Sequence, residues 1–194
     1  DAAMRMLSWI RRHMLTADGE LAGGISAGRD WYRSVNTYTE TCLAYGAHLL
    51  RQYDVARRAM TFALRWQSPR SGGVYLDRQR ADAHGPQLLF LTAQLGMSAL
   101  LTGNEPAARA AGDWLVRLWQ AQPDLPARLY TAWTDAAGLA TAVPEGENRR
   151  TYVQESQQTY KYHYNGGIAA ACLAYLHMAT GERRWLDAAR SYQA

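Results

Sequence analysis

Lysine is nearly missing from this chain: Lys161 is the only one among 21 basic residues, and the rest are arginine. The net charge of +4 is small, and basic residues such as Arg57, Arg58, Arg65, Arg109 and Arg117 are scattered along helical stretches rather than gathered on one side. That scatter predicts a solvated face and excludes a nucleic-acid footprint, which needs clustered cations. There are only 2 cysteines and 6 prolines. A disulfide scaffold and a Pro-rich low-complexity chain are thereby excluded. Cys42 and Cys172 show no CxxC or Cys/His spacing, so no zinc site is expected and both read as small residues of helix cores. No apolar run approaches the roughly 18 to 20 residues of a membrane span. Also absent are DxDD, an adjacent Asp-Asp pair, HExxH, GxSxG and the phosphate-cradling GxxxxGK[ST]. No cofactor and no metal are expected.

What remains is a chain of 194 residues, 48% of them hydrophobic, which suits one globular domain over 1–194. It opens on Asp1 and runs straight into a helical pattern at 3–14, with no leader visible. This favours a cytoplasmic location, and the chain is expected to be a fragment of a longer one.

Three segments repeat one pattern: NTYTETCLAYGAHLLRQYDVARRAMTFALRWQ, GPQLLFLTAQLGMSALLTGNEPAARAAGDWLVRLWQ and YNGGIAAACLAYLHMATGERRWLDAARSY. In each, a helix of small and apolar residues meets a short turn and then an amphipathic helix, which is the signature of a repeated helix hairpin. Gly103 and Gly181 are placed to close helices in the left-handed conformation, and Asn104 and Asp54 to cap the next ones. The second helices keep their apolar residues to one stripe, as in Val55, Ala59, Phe62, Ala63 and Trp66, or Ala111, Trp114, Leu115 and Leu118. These are outer helices. The first helices are apolar nearly all round, at 88–101 with only Thr92, Gln94 and Ser98 as breaks and at 168–178 with only His177. Helices of that kind need cover on every side and form an inner ring. The opening helix reads as an outer one. The fold class predicted is all-α, antiparallel helix-hairpin repeats forming an incomplete α/α toroid.

The stretch Tyr164-Asn165-Gly166-Gly167, followed by LAYLHMATGERRWLDAAR, resembles the inner-turn-outer unit of six-hairpin glycosidases and sugar epimerases. The Gly72-Gly73-Val74-Tyr75 loop is similar to one in the terpenoid-cyclase toroids. The resemblance implies a pocket at the N-terminal ends of the inner helices, which here selects 30–40, 72–87 and 133–165. An open ring edge would be closed by more chain or by a second subunit of a homo-oligomer.

Those stretches are rich in aromatics. Trp31, Tyr32, Tyr38, Tyr75, Trp133, Tyr160 and Tyr164, with His163 and Asn165, are candidates for substrate contact, since aromatic faces with polar tips suit sugar rings and apolar skeletons alike. Glu40, Asp82 and Glu155 lie at or just before inner helices, with Asp30, Asp77 and Asp135 in the preceding loops. Paired carboxylates perform glycoside hydrolysis, one as acid and one as base or nucleophile. Carboxylates at helix starts also serve as caps. His84, ahead of Gly85-Pro86, is expected to project from an inner-helix entrance and to exchange protons near neutral pH. Glu40, Asp82, His84 and Glu155 are therefore the candidate catalytic residues. His48 and His177, near the far ends of inner helices, and His13, on an outer surface, are read as structural. The segment 122–158 lacks a helical period and is expected to be a functional loop or lid.

Three readings follow. One is a metal-independent acid/base enzyme on a small-molecule or glycan substrate, as hydrolase, lyase or epimerase. The others are an isomerase or cyclase acting on a terpenoid or polyketide skeleton, and a non-catalytic helical-repeat binding module.

Overall fold

The computed structural model describes residues 1–21, 37–76, 78–156 and 164–193. Helix α1 (Ala2–His13) starts where Asp1 Oδ1 accepts from the amides of Ala3 and Met4 at 2.8 and 3.3 Å. It ends on Arg11, Arg12 and His13, cations that complement the carbonyl end of the dipole. Three hairpins follow: α2 (Tyr38–Leu49) with α3 (Tyr53–Leu64), α4 (Leu89–Leu101) with α5 (Glu105–Gln120), and α7 (Tyr164–Thr180) with α8 (Arg183–Ser191). Gly103 and Gly181 close their helices at φ 80° and 72°, as the turn chemistry requires. The first hairpin turns instead through Arg51 at φ 59°.

The expected caps are not formed. Asp54 lies inside the first turn of α3, whose N-cap is Gln52, and it pairs across the surface with Arg11 of α1 at 3.0 Å. Asn104 occupies the N-cap position of α5, but its amide turns back to Thr102 Oγ1 at 2.9 Å.

The two helix types separate as their sequences dictate. α4 packs between α2 and α7, and each of the three has its hairpin partner outside it. Leu91, Leu95, Leu173 and Leu176 of the inner helices are fully buried, and so are Trp114, Leu115 and Leu118 of α5 and Trp185 of α8. On α3, Val55, Ala59, Phe62 and Ala63 are buried, and Trp66, in the turn just after the helix, is partly so. The outer arginines form surface pairs, Arg65 with Asp18 and Arg109 with Glu105 and Glu182. Cys172 is buried as expected. Cys42 is not: it is exposed on the concave side of α2, where no described helix covers it.

Gly96 of α4 lets α7 approach closely, for a Cβ there would lie 2.6 Å from Cys172 Sγ and 3.2 Å from Ala111 Cβ. Overpacking outweighs the gain in helix propensity at such a site, so Gly96→Ala is expected to lose about 1–2 kcal/mol. The urea midpoint measures it, and a rise would show that the helices yield freely.

The segment after α5, which lacks a helical period, carries short regular elements. It holds β2 (Arg128–Tyr130), β3 (Ala132–Thr134), β4 (Gly138–Leu139), the one-turn helix α6 (Arg149–Tyr152) and β5 (Val153–Glu155). With β1 (Gln87–Leu88), just ahead of α4, these form two small antiparallel sheets, β1-β3-β4 and β2-β5. Gln87 stands opposite Trp133, and Arg128 opposite Glu155. The chain entering an inner helix is thus hydrogen-bonded to the connection that leaves its outer partner. Among the described residues no helix is long and apolar enough to cross a membrane.

Candidate functional site

The N-terminal ends of the inner helices meet at one end of the arc, and the first turn of each supplies an aromatic ring. Phe90 of α4 lies between Tyr38 of α2 and Tyr164 of α7, with ring centroids 5.5 and 6.1 Å apart and both contacts edge to face. Such geometry sets the positive edge of one ring on the negative face of the next. Tyr38 and Tyr164 remain 36% and 49% exposed, so the row presents ring surface to solvent. Burial, and after it the neighbouring Cys42 thiol, raises the pKa of the Tyr38 hydroxyl.

The loop ahead of β1 makes a cleft of about 190 Å³. Asp82, His84, Arg80, Thr134 and Tyr152 line it. The structure therefore brings together two of the four expected catalytic residues. Asp82 Oδ1 accepts from the amides of His84 and Gly85 at 2.8 and 3.0 Å, a turn that fixes its carboxylate at the surface. His84 is exposed in the same turn. Pro86 lies in the loop rather than in the first turn of α4, so His84 stands on the rim instead of at the helix entrance proper.

The other two expected catalytic carboxylates lie elsewhere. Glu40 is fully buried in the first turn of α2. Its Oε1 accepts from Arg78 Nη2 at 2.8 Å and from the Leu21 amide at 3.3 Å, and its Oε2 from Thr39 Oγ1 at 3.0 Å. Arg78 reaches Glu20 with its other nitrogen at 2.7 Å and lies over the Phe62 ring at 4.3 Å. The group is a clamp joining the chain before α2, the end of α3 and the rim. Glu155 is not at an inner helix but on β5, ion-paired with Arg149 at 2.7 Å and Arg128 at 3.2 Å.

Tyr75, Trp133 and Asn165 are placed inside the rim and the packing beneath it. Tyr75 is 8% exposed and donates through its hydroxyl to Asp135 Oδ2 at 2.9 Å. Trp133 sits on β3 with its ring against the backbone of Gly138. Asn165 is buried in the first turn of α7, with Oδ1 lacking a hydrogen-bond partner among the described residues. Trp31, Tyr32, Tyr160 and His163, with Asp30 and Asp77, lie outside the described residues.

Two features had weaker signals. Phe90 completes the aromatic row, and aligning the three repeats at their inner-helix starts would have found it. Asp135 is the centre of a polar knot, accepting from Ser68 Oγ at 2.6 Å as well as from Tyr75. Next to it the buried Gln87 Oε1 accepts from Trp114 Nε1 at 2.8 Å and Ser71 Oγ at 2.7 Å. Burial pushes the Asp135 carboxyl up, but the hydroxyls of Ser68 and Ser71, the Gln87 amide and the Tyr75 hydroxyl together hold it below its ordinary range. Among the described residues no three His, Cys, Asp or Glu side chains are gathered as metal ligands.

An arc of apolar inner helices backed by amphipathic outer ones, with a loop rim at the inner N-termini, is the architecture of an α/α toroid. Among solved structures, the chain is similar to a selenomethionine derivative of a GH76 alpha-mannanase from Bacteroides thetaiotaomicron, with a TM-score of 0.54 and 18% sequence identity. The match covers 81% of this chain and 42% of the mannanase chain. This likeness establishes the fold, over less than half of the longer chain. No protein-family model matches the sequence, and no curated protein does.

Proposed function

We propose that this chain is the carbohydrate-handling part of an enzyme, with sugar rings lying on the Tyr38–Phe90–Tyr164 row and proton transfer at the cleft lined by Asp82 and His84. The row carries the reading: three edge-to-face aromatics, two of them partly exposed, at the entrances of three inner helices. Flat apolar ring faces beside polar groups suit the C–H faces and hydroxyls of a sugar. His84 supplies an imidazole for proton transfer, and Asp82, held by two amides, supplies the neighbouring carboxyl group. The fold neighbour, an alpha-mannanase, favours hydrolysis over elimination or epimerisation.

The test is calorimetric titration of the chain with neutral oligosaccharides, including alpha-mannosides, and with an apolar polycycle, alongside hydrolysis assays. Tyr164→Ala is expected to weaken glycan binding about tenfold, equivalent to about 1.4 kcal/mol. His84→Ala is expected to abolish turnover while leaving binding intact. If both variants fold and behave as the parent does, the site is wrong. Binding of the polycycle alone would favour the isomerase or cyclase reading, which gains from the uncharged concave face of the inner helices. Glycan binding without turnover by the parent would leave a binding module.

A further inference from the structure

The cleft of Asp82 and His84 has two walls, and the chain ties them together. One wall is the loop with Arg80, Asp82 and His84, and the other is the connection that supplies Thr134, Ala140, Pro144 and Tyr152. The Ala136 amide donates to the Ala83 carbonyl at 2.8 Å, and Arg80 Nη1 pairs with Glu147 Oε1 at 2.8 Å. Tyr152, the last residue of α6, is held as firmly. Its carbonyl accepts from the Thr131 amide at 2.8 Å, and the Thr131 hydroxyl donates to the Thr151 carbonyl at 2.6 Å. The ring packs into the hydrophobic core, and the residue is only 2% exposed.

The hydroxyl of that ring is an exception to this order. Asp82 accepts two amides, Thr134 Oγ1 accepts from the Ala137 amide at 3.1 Å, and Arg80 is held by Glu147. The Tyr152 hydroxyl has no hydrogen-bond partner among the described residues, yet it is not one of the polar atoms sealed from solvent. A buried tyrosine ordinarily finds a partner for its hydroxyl, because a desolvated polar atom left unpaired costs free energy. The cleft that the residue lines is the side from which a partner can come. Burial, and after it the charge of Glu147, raises the pKa of the phenol, and Arg80 offsets only part of the rise. At neutral pH the group is therefore an uncharged donor.

We propose that Tyr152 is a specificity residue of the cleft, its hydroxyl donating to an oxygen of a sugar ring bound beside Asp82 and His84. This rests on the reading of the cleft as the place where a glycan reacts. A volume of about 190 Å³ lies below that of pockets for drug-sized ligands, so one ring rather than several fills it. A sugar that lacks the oxygen leaves the phenol unpaired, and a site built on such a bond rejects the deoxy analogue more sharply than an apolar contact does.

Tyr152→Phe keeps the ring and removes only the hydroxyl. Its melting temperature is expected to match the parent's, whereas loss of a hydroxyl bonded within the protein would lower it by roughly 2–4 °C. Calorimetric titration then compares the methyl glycosides of mannose, glucose and galactose, each with its monodeoxy analogues. The parent is expected to bind one glycoside about fivefold more tightly than one of its deoxy analogues, and Tyr152→Phe to bind both with the weaker affinity. A fall in melting temperature of the stated size overturns the role of Tyr152, by giving its hydroxyl to the fold. So does a variant that discriminates as the parent does, or a parent that binds every deoxy analogue as tightly as its glycoside. In each of these cases the glycan reading stands. A parent that binds none of the glycosides overturns both.

Discussion

Arg78→Ala is expected to destabilise the protein by about 3–5 kcal/mol, because it leaves the fully buried Glu40 carboxylate without its cation. The residual hydrogen bonds from Leu21 and Thr39 are too few to replace a guanidinium that bridges Glu40 and Glu20. In a chain of this length that corresponds to a fall in melting temperature on the order of 10 °C. The loss should be partly recovered in Glu40→Leu/Arg78→Leu, which removes both charges together. Urea unfolding followed by circular dichroism measures both variants. A loss below about 1 kcal/mol in Arg78→Ala would mean that the clamp is not formed in solution.

The second large effect is expected at Asp135. Asp135→Ala removes the acceptor of the Ser68 and Tyr75 hydroxyls in a half-buried setting, a loss of about 2–3 kcal/mol near neutral pH. Its pH dependence identifies the cause. The folded protein holds this carboxyl below its ordinary range, so its contribution is fully present above the unfolded pKa near pH 4. That contribution is lost as pH falls through the lower, folded pKa. Melting temperatures of parent and variant should therefore differ most at pH 5 to 7 and converge below about pH 4. A difference that stays constant down to pH 3 would assign the effect to packing rather than to the ionised carboxylate.

Much of this architecture was legible in the sequence, and for a local reason. Whether a helix is apolar all round or on one stripe is decided within a dozen residues, so α4 and α5 could be told apart before either was seen. The turns at Gly103 and Gly181 were equally local. The rim was less legible. β1 and β3 have two and three residues, too short for a period, and they exist because residues 46 positions apart, Gln87 and Trp133, stand opposite each other. Glu40 read as an active-site acid because its position, at the start of an inner helix, suited one. Its partner Arg78 lies 38 residues away, and no pattern connects them. The knot around Asp135 has the same character, with Ser68 as its nearest contact at a separation of 67. Cys42 misled in another way: an apolar helix signals that its face is meant to be covered, without saying what covers it.

The pairing of β1 with β3 carries a consequence for how the molecule acquires its mouth. Each helix hairpin closes through contacts between chain neighbours, which form fast, and hairpins stacked in line add stability one to the next. The rim needs the second hairpin complete before its strands can meet. The rim that carries Asp82 and His84 is thus expected to assemble after the hairpins and to open before them, while the helices bearing the aromatic row stay in place. Changes in the rim can accordingly alter what the mouth accepts without remaking the ring that supports it.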